Sequence, residues 1–374
     1  MSLTHVICDT QTGDKLSPVF PSASAWECMT NLLTGPKQTT FELADETNAK
    51  INYKDLTKDD WSRTLVTCWN GVVRDSQIIT DYDLDRDHKR LTVTHSPFRK
   101  ILTKRYPFGA TSYWADEANH IPGRMNLTNL EYRSIISTAL SLGVTGPFNS
   151  YPLPLVLPPI VAGGHSKLLG NWAFMTVDDL ITEQQNASGG PDVYFEPRWS
   201  TAGKLEYVVR VGTDAAPGLT GDLYEFHMNT EQPALTGVHK RGDGNSRTTG
   251  VFTIGAGSEE DMLVVGRGLG DAATGPALDT TQSNKTDTDT ASVVGQSEAS
   301  LAKNRYSVEQ WDFSLIADAD PSIDLGNMRL GSTIRLLFSG DFWEADGHLD
   351  FKLLGLSGDM TSKMHPVVQP VVVS

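Results

Sequence analysis

Residues 65–93, LVTCWNGVVRDSQIITDYDLDRDHKRLTV, carry the signal that decides the fold. β-Type runs at 65–69, 72–74, 77–84 and 90–95 follow one another, with Asn70-Gly71 between the first two. That dipeptide tolerates the positive φ angles of a two-residue hairpin turn, so the stretch reads as a meander. The acids Asp81, Asp83, Asp85 and Asp87 fall where an EF-hand loop places its first ligands. Calcium chemistry then needs a glycine for the sharp turn and a bidentate Glu to close the loop, and Arg86 and Thr92 stand there instead. On a strand, alternate acids share one face while Tyr82 and Leu84 take the other. The stretch is therefore expected to be a hairpin with a solvated acidic face, turning at Asp85-Arg86-Asp87-His88.

Outward from this meander the pattern stays β-rich with one mixed interval. Ser96-Pro97 stops the last strand, and Phe98, Ile101 and Leu102 ahead of Lys104-Arg105 suit a helical turn that caps the first module. From 127 to 142 the spacing of Leu130, Ile135, Ile136, Ala139 and Leu140 is helical, with Asn126 and Thr128 as expected caps. The proline-rich run YPLPLVLPP at 151–159 suits neither helix interior nor central strand and reads as an extended connection. Residues 176–185 read as a short helix capped by Thr176, and 191–199 with 205–211 as a hairpin. Strand-like runs return at 251–254, 262–265, 310–317, 333–338, 348–356 and 367–373. The polar, Thr-rich interval 278–300 between them reads as an exposed loop with a short helix at its end.

The expected fold is mainly β with an α+β insert: a first β-barrel domain over 1–105, an α+β middle domain over 106–248, and a second β-barrel domain over 249–374 that carries the 278–300 loop. No fixed-period repeat appears. Residues 64–93 and 333–356 each place two strands about a short turn, as related modules would and as β-meanders in general do.

Composition narrows the function classes. With 31 Lys+Arg against 46 Asp+Glu the formal charge of the 374-residue chain is −15, which disfavours a tight grip on phosphate backbones and suits a surface that DNA passes without sticking. Three cysteines, Cys8, Cys28 and Cys68, with no C-x-x-C spacing point to reduced thiols rather than to disulfides or a zinc site. No apolar run is long enough to span a membrane, and the N-terminal residues lack the pattern of a signal peptide.

Catalytic and cofactor motifs do not emerge. The nine histidines are scattered without H-E-x-x-H or deaminase spacing. GRGLG at 266–270 lacks the Lys-Ser/Thr and following helix of a phosphate loop, and GLSGD at 355–359 lacks the frame of a nucleophile elbow. No catalytic, cofactor-binding or metal-binding residue is assigned, and no cofactor is expected. Tyr113, Trp114, Trp172, Trp199 and Trp343 are candidates for receptor or carbohydrate recognition, against which stands core packing, the commoner fate of aromatic residues.

Several segments in order resemble the minor tail proteins of actinobacterial siphophages, a group whose tail hub fold is similar to the myophage baseplate hub. Phe41-Glu42-Leu43 with Asp45 and the block 65–105 resemble that family's strand-hairpin-strand unit ending in a basic pair. Residues 176–180, Gly189-Gly190-Pro191-Asp192 and Arg210-Val211-Gly212 resemble its middle domain. Residues 254–261, Glu309-Gln310-Trp311 and 331–360 resemble its last β module. The resemblance spans about 40–370 as an order of blocks. It implies a structural virion protein at the tail tip, made in the host bacterial cytoplasm and assembled as a homotrimer whose six barrels ring the tail channel. The implied partners are the distal tail protein, tail tube protein, tape measure protein and tip or spike proteins, with DNA only passing through at genome ejection. Since 374 lies close behind the last module, no appended enzyme is expected. The alternatives from other classes are a tail-associated cell-wall hydrolase and a receptor-binding tail protein.

Overall fold

The computed structural model describes residues 3–57, 59–108, 124–146, 151–170, 173–187, 189–213, 217–228, 234–245, 247–268, 276–285, 287–305, 308–319 and 328–371. The fold is mainly β with few helices. The first module contains β1 (Leu3–Asp9), β2 (Lys15–Val19), β3 (Ala23–Ser24), β4 (Trp26–Met29), β5 (Lys37–Glu42), helix α1 (Tyr53–Leu56), β6 (Arg63–Trp69), β7 (Val72–Asp85) and β8 (Arg90–Pro97). All of its strands except β4 form one seven-stranded half-barrel sheet, in the order β2-β1-β6-β7-β8-β5-β3. The two β runs expected at 72–74 and 77–84 are one 14-residue strand, because bulges absorb the breaks instead of ending the strand.

Both faces of this sheet are covered, and its sequence shows it. Along β6 the burial is nearly continuous, since Val66 and Cys68 enter one core while Leu65 enters another on the opposite face. The second of these is closed by Phe41, Tyr53, Leu56, Leu91 and Val93, with the Phe41 and Tyr53 rings 4.9 Å apart. Each fully buried large apolar side chain contributes about 1.5–3 kcal/mol on transfer from water.

The larger core is closed by the helical layer and a second hairpin. After the 3-10 turn Phe98–Lys104 come β9 (Arg124–Leu130), α2 (Tyr132–Thr145), β10 (Leu155–Val156), β11 (His165–Gly170), α3 (Val177–Gln185), β12 (Asp192–Trp199) and β13 (Leu205–Gly212). Ile135, Ile136, Ala139, Leu140 and Val144 give α2 its buried stripe, packed with Leu180 and Ile181 of α3 and with Tyr207, whose ring lies 4.0 Å from that of Phe98. Thr176 caps α3 as expected: its Oγ1 accepts the Asp179 N–H at 3.1 Å while Asp179 Oδ2 accepts the Thr176 N–H at 3.0 Å. The start expected for α2 at 127 is corrected to 132, because Asn126 and Thr128 lie in β9, which finds a partner strand in β11. A pairing between distant segments overrides the local helical spacing.

β14 (Leu223–His227) and β15 (Leu235–Asp243) follow, and Val238–Asp312 together with Asn186–Gly190 make a second compact unit. That unit holds β16 (Gly250–Ile254), β17 (Val264–Arg267), β18 (Asp279–Ser283) and α4 (Thr290–Asn304), its strands ordered β17-β16-β18. The interval 278–300, expected as a loop with a short helix at its end, holds a strand, and the helix at its end is 15 residues long. Polar composition hid the length of the helix: its fully buried side chains among the described residues are Val293 and Ser297, one turn apart, and it is capped by Asp289, whose carboxylate accepts the N–H groups of Ala291 and Ser292.

β19 (Val308–Ile316), β20 (Thr333–Phe338), β21 (Gly347–Gly358) and β22 (Lys363–Pro370) complete the second large sheet, β14-β20-β21-β22-β19-β15. It recruits β14 and β15 from ahead of 249. It also recruits β4. Residues 347–352 of β21 pair with β20, and on the same edge residues 355–358 pair with β4. Among the described residues no helix is long and apolar enough to cross a membrane.

Candidate interaction surfaces

The acidic hairpin is where the sequence placed it. Asp81 and Asp83 lie opposite Thr94 and Thr92 on one face, while Tyr82 and Leu84 lie opposite Val93 and Leu91 on the other. The alternation holds, but the second face is not covered at this end: Tyr82 is 47% and Leu84 42% exposed. Asp85 closes the turn, with its Oδ1 accepting the N–H groups of Asp87 and His88 at 3.0 Å each and its Oδ2 lying 2.7 Å from His88 Nδ1. The hydrogen bonds from His88, its backbone N–H above all, hold the Asp85 carboxyl below the usual carboxylate range. Among the described residues no group of three or more His, Cys, Asp or Glu is arranged to hold a metal ion.

The candidate aromatics part company. Tyr113, Trp114 and Trp172 lie outside the described residues. Trp199 is half-buried, donating from Nε1 to the Gly71 carbonyl at 3.2 Å, with Lys15 Nζ 3.8 Å from its ring centroid. Trp343 is 74% exposed, and beside it Phe342, which the sequence reading overlooked, is 95% exposed. Their loop is firmly shaped. Asp341 Oδ1 accepts the N–H groups of Trp343 and Glu344 at 2.8 and 2.9 Å, and Asp346 Oδ1 accepts that of Gly340 at 2.6 Å. The signal was available: two adjacent aromatics inside an Asp- and Gly-rich strand connection have no strand face to occupy.

The least expected feature is the strap formed by β4 and the residues just after it. Asp75 Oδ2 of the first sheet accepts the Glu27 N–H at 3.0 Å and the Gln77 Nε2–H at 2.8 Å. From Gln77 the buried chain continues through His95 and Thr39 to Ser24, with links of 2.7, 2.9 and 2.9 Å. On the other side Leu354, the bulged residue of β21, accepts from the Thr30 N–H and Oγ1 at 2.8 and 3.0 Å. Asn31 then reaches the middle elements: its Oδ1 accepts from Gln185 Nε2 at 2.7 Å and from the Val193 N–H at 2.8 Å. One strand thus joins both large sheets and the helical layer.

Burial sets the electrostatics of this joint. Desolvation pushes the Asp75 carboxyl up to about 7 and holds the His95 and His5 imidazoles down to about 4. Burial likewise pushes the Cys8 thiol up to about 12 and those of Cys28 and Cys68 up to about 11, so none is a ready nucleophile.

No protein-family model and no curated protein sequence matches this chain. Solved structures do. The tail protein from Neisseria meningitidis MC58 superposes with a TM-score of 0.57 at 12% identity, covering 99% of this chain and 97% of that one. The prophage MuSo2 43 kDa tail protein from Shewanella oneidensis gives a TM-score of 0.57 at 10% identity, covering 98% of both chains. The fold is that of phage tail proteins, and the family resemblance read from the sequence holds at the level of the fold.

Proposed function

We propose that this chain is a structural protein of a phage tail that works by assembly. The observation that carries the reading is the likeness to two tail proteins over nearly their whole length. In finer terms, three copies form a hub ring at the tail tip, each contributing its two half-barrel sheets. The ring joins the tail tube and distal tail protein to the tip proteins and leaves a channel for tape measure protein and DNA. Three features support it: two large β modules in one chain, a strap that fixes one module to the other, and a formal charge of −15 suited to passing DNA. Mass spectrometry and imaging of purified particles test it, since the chain must be a stoichiometric component located at the tip.

A second reading, contact with a host surface, draws support from Phe342 and Trp343, because rings held out in a shaped loop are suited to recognition. Loss of cell binding in a Phe342→Ala/Trp343→Ala variant that still enters particles would favour it.

A further inference from the structure

One cleft runs against the acidic character of the chain. About 330 Å³ in volume, it lies where the β6–β7 turn, β12, β13 and the residues before β20 meet, and four guanidinium groups line it: Arg74, Arg198, Arg210 and Arg329. Their compensation is incomplete. Arg198 pairs with Glu206 at 2.7 Å, while Glu196 serves both Arg210, at 2.7 Å, and Arg329, at 3.8 Å. Arg74 has no ion pair among the described residues. It is 6% exposed, its Nη2 donates to the Met328 carbonyl at 2.6 Å, and its buried Nε has no hydrogen-bond partner. Backbone geometry puts it there: Thr67 pairs with Asp75 and Cys68 with Val73, so Arg74 is the bulged residue and is turned out of the regular ladder. A buried cation without a counter-charge is costly, and an anion brought from outside relieves that cost.

We propose that the cleft receives the Asp81–Asp83 edge of the acidic hairpin from a second copy of this chain. The contact rests on the reading that the protein acts by assembling with itself, and it names where two copies meet. The hairpin offers what the cleft lacks. Arg90 is engaged by Glu42 at 2.8 Å and His88 by Asp85, while Asp81 and Asp83 make no ion pair among the described residues. Arg86 and Lys89 of the turn make no ion pair with Asp81 or Asp83 among the described residues. Cleft and hairpin sit at opposite ends of β7, Arg74 near its start and Asp83 near its finish. At about 3.3 Å per residue they stand some 30 Å apart along the strand, so one chain cannot satisfy itself. Unlike patches at opposite ends of one subunit make a head-to-tail contact, which closes into a ring when the rotation between copies permits.

Analytical ultracentrifugation over a range of protein and salt concentrations tests the contact. Self-association should weaken about tenfold or more in Asp81→Lys/Asp83→Lys, and equally in Arg198→Glu/Arg329→Glu, and should return when all four changes are placed in one chain. Circular dichroism melts verify that each variant folds, and Asp83→Asn with Arg329→Gln at low salt serves where a reversal does not. Oligomers that survive both reversals overturn the contact while leaving the tail role standing. Absence of the chain from particles sinks the tail role instead. A wild-type chain that stays monomeric overturns the contact too. Saturable calorimetric binding of inorganic phosphate that Arg198→Glu/Arg329→Glu abolishes, with the oligomer unchanged, assigns the cleft to a small anion and also overturns it.

Discussion

The Asp75 carboxylate accepts the backbone N–H of Glu27 at 3.0 Å, and through this bond a strand that belongs to the second sheet is held by a side chain of the first. The Asp75 end of the bond is buried and the Glu27 end half-buried, so breaking it leaves a poorly solvated peptide N–H without its partner. Asp75→Ala is expected to cost about 1–3 kcal/mol and to loosen the strap, seen as faster hydrogen exchange at Glu27 and Cys28.

The pH dependence of this joint has a definite sign. The folded-state pKa of Asp75 is raised from 3.8 to about 7, so where the unfolded chain ionises this carboxyl the fold is penalised, fully so above about 7, and the penalty fades as pH falls from about 7 toward 4. His5 and His95 are depressed from 6.5 to about 4, so what they contribute is fully present above 6.5 and is lost as pH falls through 6.5 toward 4. The terms oppose one another. Asp75→Asn removes only the first, and relative to it the wild type should gain about 2–3 kcal/mol between pH 8 and pH 5, read from urea denaturation at each pH. A constant difference between the two proteins across that range would contradict the assignment.

Asn31 should prove unusually sensitive for a half-buried loop residue. It sits at φ 63° and its Oδ1 accepts two hydrogen bonds, from Gln185 and Val193. Asn31→Ala combines the loss of both bonds, and of the Nδ2 donation to Asp192 Oδ1, with a left-handed backbone that Ala disfavours, for an expected cost of about 2–4 kcal/mol. Asn31→Gly removes the bonds and relieves the backbone, so it should fall between Ala and wild type in thermal melts.

Gly358 is required by close approach. A Cβ there would lie 2.8 Å from the Trp26 indole, whose Nε1 donates to the Asp359 carbonyl at 3.1 Å. Gly358→Val should displace the ring, cost about 1–3 kcal/mol and shift tryptophan emission to the red. Trp343, already in water, cannot produce that shift.

Phe342→Ala/Trp343→Ala should leave the melting temperature nearly unchanged, within about 0.5 kcal/mol, because neither ring is in the core. Incorporation into tails or attachment to cells is where the loss should appear.

The sequence made the local features of this fold readable. Asn70-Gly71 marked the hairpin, Thr176 with Asp179 marked the start of a helix, and the failed calcium spacing at Arg86 and Thr92 left a strand turn. The strap was not readable, because Trp26–Met29 meets Gly355–Gly358 across more than 300 residues and no short-range pattern encodes that partner. The full length of α4 escaped for a different reason: among its described residues the buried stripe is Val293 and Ser297, too narrow to register as a long periodicity among Thr, Ser and Gly. The arginine cleft escaped because its residues come from four separate segments, and only a bulge in the fold aims Arg74 toward it.

The central claim is assembly into a tail structure, and cryo-EM of the purified chain together with the particle's tail tip addresses it most directly. The account predicts rings of three copies whose two half-barrel sheets alternate around an open channel, with the same ring recognisable at the tip. A chain that remains a single copy in solution and is missing from the tail map would contradict it.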